Sequence, residues 1–270
     1  MCAMTDALLA ELVAARQTRT PCAVVTVAAT SGSVPRAAGS KMLVYGSGKI
    51  SGTIGGGKFE ALVVEDTLAL LRQKEPALKT YPLREGECAS FGAICGGEVT
   101  VLIEPQMVSE AIYLIGAGHC ARAIAKLATE CGLYVGVLDD RAELLADLPA
   151  GVARISDAAP AHFIASRQWQ SDEALVMVSR NHEIDLEALA AAVEQPGAGY
   201  IGMIGSKRKV ARVFDQLKER GVREEKLARV FAPLGLDIGA DSPTEIAVST
   251  VAEILAALRQ RTAAHLRLAR

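Results

Sequence analysis

The stretch LIGAGHCARAIAKLA, residues 114–128, sets the fold class of this 270-residue chain. An apolar run ends in Gly-Ala-Gly and passes directly into a segment with helical spacing. This is the strand–turn–helix opening of a dinucleotide-binding unit. Gly116 permits the tight turn, Gly118 lets the backbone approach a ligand, and Ala121 stands where a third glycine would allow close helix packing. At about 100° per residue, Cys120, Ile124, Leu127 and Cys131 share one face, with Ala121, Ala125 and Ala128 beside it; Arg122, Lys126, Thr129 and Glu130 fall opposite. Cys120 and Cys131 are therefore expected as core thiols.

On either side of this stretch, AIYLIG (111–116), YVGVLD (134–139), VARIS (152–156), ALVMVS (174–179) and YIGMIG (200–205) alternate with helical segments, as parallel βαβ units do. Asp139 ends the second run, where an acid can bind a ribose hydroxyl pair. A sheet of order 3-2-1-4-5 sets the first and fourth strands side by side, with a crevice above their C-terminal ends. His119 and His182 then meet over that opening, each a proton donor, a ligand to something bound, or a polar residue at a solvated strand end. After the fifth run, Gly205 and Ser206 open a helix whose first turn carries Lys207, Arg208 and Lys209. That is a phosphate site or a solvated charged face. Ser242, Pro243 and Glu245 predict a capped final helix, and the preceding APLGLDIGAD (232–241) fits an anion site and an ordinary tight loop equally well.

Before Met107 the pattern differs, which sets domains at 1–107 and 108–270. A helix (5–16), a strand (22–29), strand-like 42–46 and 50–57, a helix (58–73) and strands at 79–83 and 98–104 predict an α+β unit. SGSVPRAAGSK (31–41) and SGTIGGGKFE (51–60) place flexible backbone donors near Arg36, Lys41 and Lys58, and Gly55–Gly57 directly precede a helix. The Walker A spacing is absent, but an oxyanion or a flat heterocycle fits such a loop. CASFGAICGGEV (88–99) sets Cys88 and Cys95 in a glycine-containing loop, where Gly96 and Gly97 leave Cys95 uncrowded. An accessible thiol there suits a metal or sulfur ligand, although buried structural cysteine is the commoner fate.

Composition narrows the classes. A net charge of −2 gives no electrostatic reason to expect nucleic acid or an anionic membrane, and 4% aromatic residues offer few stacking platforms for single strands. No apolar run approaches a membrane span, and MCAMTDALLAELVAARQ carries acids where a signal peptide carries a basic start, so a cytoplasmic protein is expected. The six cysteines include no CxxC pair, which points to free thiols.

Taken together, GSVPRAAGSKMLV, GTIGGGKFE, CGGEVTVLIEP, IGAGHCARAIAKLA, VLDDR, MIGSKRK and APLGLDIGADSPTEIAVS resemble the xanthine dehydrogenase accessory protein family of the XdhC/CoxI type, from about residue 20 to 255. The resemblance implies an α/β protein: an N-terminal α+β XdhC/CoxI domain, then a C-terminal Rossmann-like domain with a doubly wound parallel sheet. It implies a non-enzymatic chaperone that binds molybdenum cofactor (molybdopterin), works with a cysteine desulfurase to install the terminal sulfido ligand, and delivers the cofactor to a xanthine dehydrogenase-type molybdenum hydroxylase. Carried over by motif, the cofactor contacts are Ser33, Arg36, Gly55, Gly56, Gly57, Glu60, Cys95, Gly96 and Gly97 in the first domain. In the second they are Gly116, Gly118, His119, Asp139, His182, Gly205, Ser206 and Lys207. Cys95 is the candidate molybdenum or sulfur contact. SRNHEID departs from relatives that often show a second histidine in that loop. The competing expectations are an NAD(P)-dependent oxidoreductase, drawn from Gly116, Gly118 and Asp139, and a scaffold with a vestigial nucleotide fold. A homodimer is expected by base rate alone.

Overall fold

The computed structural model describes residues 6–83, 97–106, 109–156 and 159–266. The chain separates into two compact units, Met1–Val108 and Ser109–Arg270.

In the first unit, helix α1 (Asp6–Gln17) leads into strands β1 (Cys22–Ser31), β2 (Lys41–Tyr45) and β3 (Ile50–Gly52). Helix α2 (Gly57–Gln73), β4 (Ala77–Pro82) and β5 (Glu98–Gln106) follow. The antiparallel sheet has the order β3-β2-β1-β5-β4. One face is apolar because alternate residues on the long central strands point the same way: Ala23, Val25 and Val27 of β1 and Val99, Val101 and Ile103 of β5 are buried with Phe59, Val63 and Leu70 of α2. The strand expected over 50–57 stops at Gly52. Beyond it Gly55 (φ +145°), Gly56 (φ +74°) and Gly57 (φ +66°) adopt a backbone that strands do not use, so the rest of this segment becomes a turn instead.

The second unit contains β6 (Ala111–Ile115), α3 (His119–Glu130), β7 (Tyr134–Leu138), α4 (Ala142–Ala146), β8 (Ala153–Ile155), α5 (Pro160–Ala165) and β9 (Glu173–Met177). These are followed by α6 (His182–Val193), β10 (Tyr200–Met203), α7 (Lys207–Glu219), α8 (Glu224–Leu227), β11 (Val230–Phe231) and α9 (Pro243–Leu258). Its six strands are all parallel, in the order β11-β10-β9-β6-β7-β8. Numbered within this unit, that is the expected 3-2-1-4-5 with a sixth strand added; β11 is two residues long and leaves almost no pattern in the sequence.

Every residue of β6, β9 and β10 is buried, because helices cover both faces. Ile112, Leu114, Val135 and Val176 pack on one side with Ile124 of α3 and Val251 and Ile254 of α9. Tyr113, Ile115, Leu175 and Met177 pack on the other with Leu186 and Leu189 of α6 and Val213 and Leu217 of α7. The buried stripe of α3 runs through Ala121, Ile124, Ala125 and Ala128 rather than through its cysteines. Small alanines let α3 lie close to the sheet and to α9. Cys120 is consequently half-buried at the margin, and Cys131, at the C-cap, is exposed, which corrects its placement in the core. At the other end of the unit the expected capping box is present: Ser242 Oγ accepts from Glu245 N–H, and the Glu245 carboxylate accepts from the Ser242 and Asp241 N–H groups. That carboxylate occupies the helix N-terminus where an external anion was the alternative expectation.

Candidate functional sites

In the first unit three sequence-distant motifs meet. A Cβ at Gly55 would lie 2.6 Å from Pro35 Cγ, and one at Gly97 would lie 2.4 Å from the Ser33 carbonyl oxygen and 2.5 Å from that of Ser31. The loop after β1 is thus clamped between the glycine turn and the start of β5. Gly97 is required by this close approach. Cys88, Cys95 and Gly96 lie outside the described residues.

Glu60, on the first turn of α2, shapes the glycine turn from beneath. Its Oε2 accepts from Thr53 Oγ1 at 2.5 Å, Ile54 N at 3.0 Å and Gly56 N at 3.1 Å, and the residue is only 9% exposed. Glu60, carried over by motif as a cofactor contact, uses this oxygen to hold the loop. Gly56, the N-cap of α2, has no side chain with which to cap the helix, its own N–H is taken by Glu60, and a Cβ there would meet nothing within 4 Å. Ser33, Arg36, Gly57 and Lys58 are exposed around this turn, and Lys41 turns aside to hydrogen-bond Thr26 Oγ1.

In the second unit a cleft opens at the C-terminal ends of β6, β7 and β9, where the strand order reverses and α/β sheets bind ligands. It is a shallow, open cleft of about 50 Å³, or about 370 Å³ when the open solvent at its mouth is counted. Gly116 (φ +117°) is obligatory here, because a Cβ would lie 2.6 Å from the Val178 carbonyl oxygen. Gly118 caps α3 with no side-chain hydrogen bond and faces open space.

Asp139 is not available to a ribose. Its Oδ2 accepts from Ala117 N (2.7 Å) and Arg141 Nη2 (2.7 Å), and its Oδ1 from Arg141 N (3.0 Å) and Nε (2.8 Å); its side chain is 3% exposed. Burial opposes its charge. The hydrogen bonds from the Arg141 side chain, the Arg141 N–H and the Ala117 N–H together outweigh burial and hold the carboxyl far below the usual carboxylate range. The acid expected to receive a ligand instead pins the glycine turn to the β7–α4 loop.

The mouth carries groups that sequence reasoning did not single out. Arg180, from the β9–α6 loop, pairs bidentately with Asp140 through Nη1–Oδ1 at 2.7 Å and Nη2–Oδ2 at 2.8 Å, and lies 3.8 Å from Asp139. The Arg180 guanidinium holds the Asp140 carboxyl below its ordinary range. Beneath this loop the fully buried Asp185 accepts from Ser179 N–H at 3.1 Å and from Lys209 Nζ at 2.6 Å. Lys209 therefore faces inward and is not part of a phosphate-binding first turn. Ser206 Oγ caps α7 by accepting from Lys209 N–H, Gly205 packs against the Lys209 side chain, and Lys207 is exposed. His119 and His182 are the exposed first residues of α3 and α6, above adjacent strands, and neither lines the cleft. Among the described residues no cluster of metal-ligating side chains occurs and no helix is long and apolar enough to cross a membrane.

Comparison with known proteins follows the same division. A family model described as the XdhC Rossmann domain matches residues 112–254, and one described as the XdhC and CoxI family matches residues 15–82. The chain is 37% identical over 237 residues to the uncharacterized protein YqeB of Escherichia coli (strain K12), covering 87% of this chain and 43% of that protein. It is 30% identical over 145 residues to a probable xanthine dehydrogenase component of Bacillus subtilis (strain 168), covering 53% of this chain and 42% of that protein. A crystal structure of a xanthine dehydrogenase from Bacillus halodurans aligns over 97% of this chain and 98% of its own, with a TM-score of 0.49 and 22% identity. The chain spans less than half the length of the two curated relatives.

Proposed function

The chain belongs to the XdhC and CoxI family, and from that premise we propose that it binds molybdenum cofactor and hands it to a xanthine dehydrogenase-type molybdenum hydroxylase. The observation that carries this reading is the convergence of the loop 31–36, the glycine turn and Gly97 in the first unit.

A pterin cofactor is flat, bears a phosphate, and brings a metal whose terminal sulfido ligand is required by the hydroxylase. The surface around Gly56 fits the flat part, because a Cβ there would meet nothing within 4 Å, and the exposed Arg36 directly follows Pro35, which packs against Gly55. The residues divide the work. Glu60, through Thr53, Ile54 and Gly56, holds the turn in one shape before any ligand arrives. Arg36 supplies the charge for the phosphate. Cys95, two positions before the clamped Gly97 in sequence, is the thiol that contacts the metal or relays sulfur from a cysteine desulfurase.

Protein isolated from cells that make the cofactor is expected to carry molybdenum and a fluorescent pterin in comparable amounts. Arg36→Ala should lower the retained pterin about tenfold, and Cys95→Ala should lower either retention or the sulfurated fraction. Protein purified with its maturation partners that carries neither molybdenum nor pterin would overturn the reading.

A further inference from the structure

We propose that the cleft of the Rossmann unit is a second ligand site, selective for a nucleotide whose ribose carries a phosphate monoester, and that this phosphate takes Arg180 from Asp140. This inference concerns the second unit and stands independently of where molybdenum cofactor binds.

Three observations carry it. First, the position is that of a nucleotide ribose: the cleft lies over the strand-order reversal, beside the turn Gly116–Gly118 and the end of β7. Second, the group that would select an unmodified ribose is consumed. Asp139 has both oxygens committed to four N–H donors, three of them from Arg141, and is buried. A free hydroxyl pair therefore finds no open acceptor at that carboxylate. Third, two guanidinium groups stand at this point and are held very differently. Arg141 is locked to the buried Asp139. Arg180 is held by Asp140 alone at short range, and both members of that pair are nearly half exposed, at 43% and 46% of their side chains.

An exposed ion pair contributes little to stability, because water solvates both partners well when it opens. A phosphate monoester offers Arg180 the same bidentate geometry with more negative charge, and the displaced Asp140 carboxylate moves into solvent. The loop needs no rearrangement for this exchange. Asp185, anchored by Lys209, holds Ser179 N–H, and Ser179 Oγ donates to the Asn181 carbonyl, so the backbone on either side of Arg180 is fixed while its side chain swings. Pro160 and Ile184 give the cleft an apolar wall against which a base can lie.

The test is calorimetric titration of the full chain with 2′,5′-ADP, 5′-ADP and inorganic phosphate. The 2′-phosphorylated nucleotide should bind at least about tenfold tighter than 5′-ADP, and inorganic phosphate should bind more weakly than either. Arg180→Ala should reduce affinity for 2′,5′-ADP about tenfold or more while changing that for 5′-ADP little. Asp140→Asn should tighten 2′,5′-ADP by about threefold, since it removes the competing carboxylate while leaving Arg180 in place; a purely structural role for the pair predicts no gain. Equal affinity for the two nucleotides, inorganic phosphate binding as tightly as 2′,5′-ADP, no binding of any of the three, or an Asp140→Asn variant that binds 2′,5′-ADP no tighter than wild type would each overturn the proposal.

Discussion

Replacing Asp139 by asparagine keeps the size of the side chain and removes what the glycine turn depends on. Two donors converge on each carboxylate oxygen: Ala117 N and Arg141 Nη2 on Oδ2, Arg141 N and Nε on Oδ1. An amide retains one oxygen, so whichever way it is oriented two N–H groups face an NH₂. Hydrogen bonds to a charged group are each worth about 1.5–3 kcal/mol, and an orphaned buried donor costs a similar amount. Breaking a buried ion pair from one side costs about 3–5 kcal/mol, which agrees with the sum of two such losses. For a domain of roughly 150–250 residues, 1 kcal/mol moves the midpoint about 2–4 °C, so a fall on the order of 10 °C is expected at pH 7. The pH dependence has a fixed sign. The folded carboxyl titrates well below its unfolded value of about 3.9, so its contribution is complete above about pH 5 and is lost as pH falls through 4 toward the folded value. The gap between wild type and variant should therefore narrow on acidification. Scanning calorimetry of both proteins across pH 3.5–7 reads this directly, with Asp140→Asn as the exposed control, expected to stay within about 2 °C of wild type. An Asp139→Asn midpoint within about 2 °C of wild type at pH 7 would refute the pinning role of the carboxylate.

The other expectations concern the turn glycines, the loop carboxylate and the thiols. Glu60→Ala strips three donors of their acceptor, one of them the buried Ile54 N–H, and should destabilise the first unit by about 2–4 kcal/mol in denaturant titration; a loss below about 1 kcal/mol would show that the turn holds itself. Gly116→Ala must place a methyl group against backbone at a left-handed φ and should cost several kcal/mol, whereas Gly118→Ala, with φ −69° and open space around it, should stay within about 1 kcal/mol. Equal melts for those two variants would contradict the tight approach of the turn to Val178. Thiol labelling followed by peptide mapping should find Cys131 fast, Cys120 slow and Cys22 silent, because burial raises the Cys120 and Cys22 thiols and Cys131 is exposed; rapid labelling of Cys22 would mean that β1 opens readily.

The α/β architecture was legible because it is written in local pattern. Short apolar runs such as AIYLI and ALVMV, each alternating with a helical segment, fit strands covered on both faces, and the Ser242–Glu245 cap specifies its own hydrogen bonds within four residues. Legibility failed where a side chain's partner lies far along the chain. Arg141, two positions on, supplies three of the four donors to Asp139, but the sequence does not say whether that arginine turns back on the acid, and the fourth donor, Ala117 N–H, lies 22 positions earlier. Glu60 is a different case: its three donors lie within seven positions, but the shape of the glycine turn that aims them at the carboxylate is not written in the residue spacing. Cys131 was misplaced by a smaller error: periodicity gives the angle of a residue around α3 but not where the neighbouring α9 ends its cover. The Arg180–Asp140 pair spans 40 positions and follows no period. A signal for it existed all the same. Once the strands are ordered, the loops after β7 and β9 flank the one after β6, and they read Asp-Asp-Arg and Ser-Arg-Asn. Opposite charges on two loops that flank the glycine turn are within reach of one another, and here they pair. Comparing the charges of loops that follow strands adjacent to the first strand therefore recovers from sequence what motif matching alone does not.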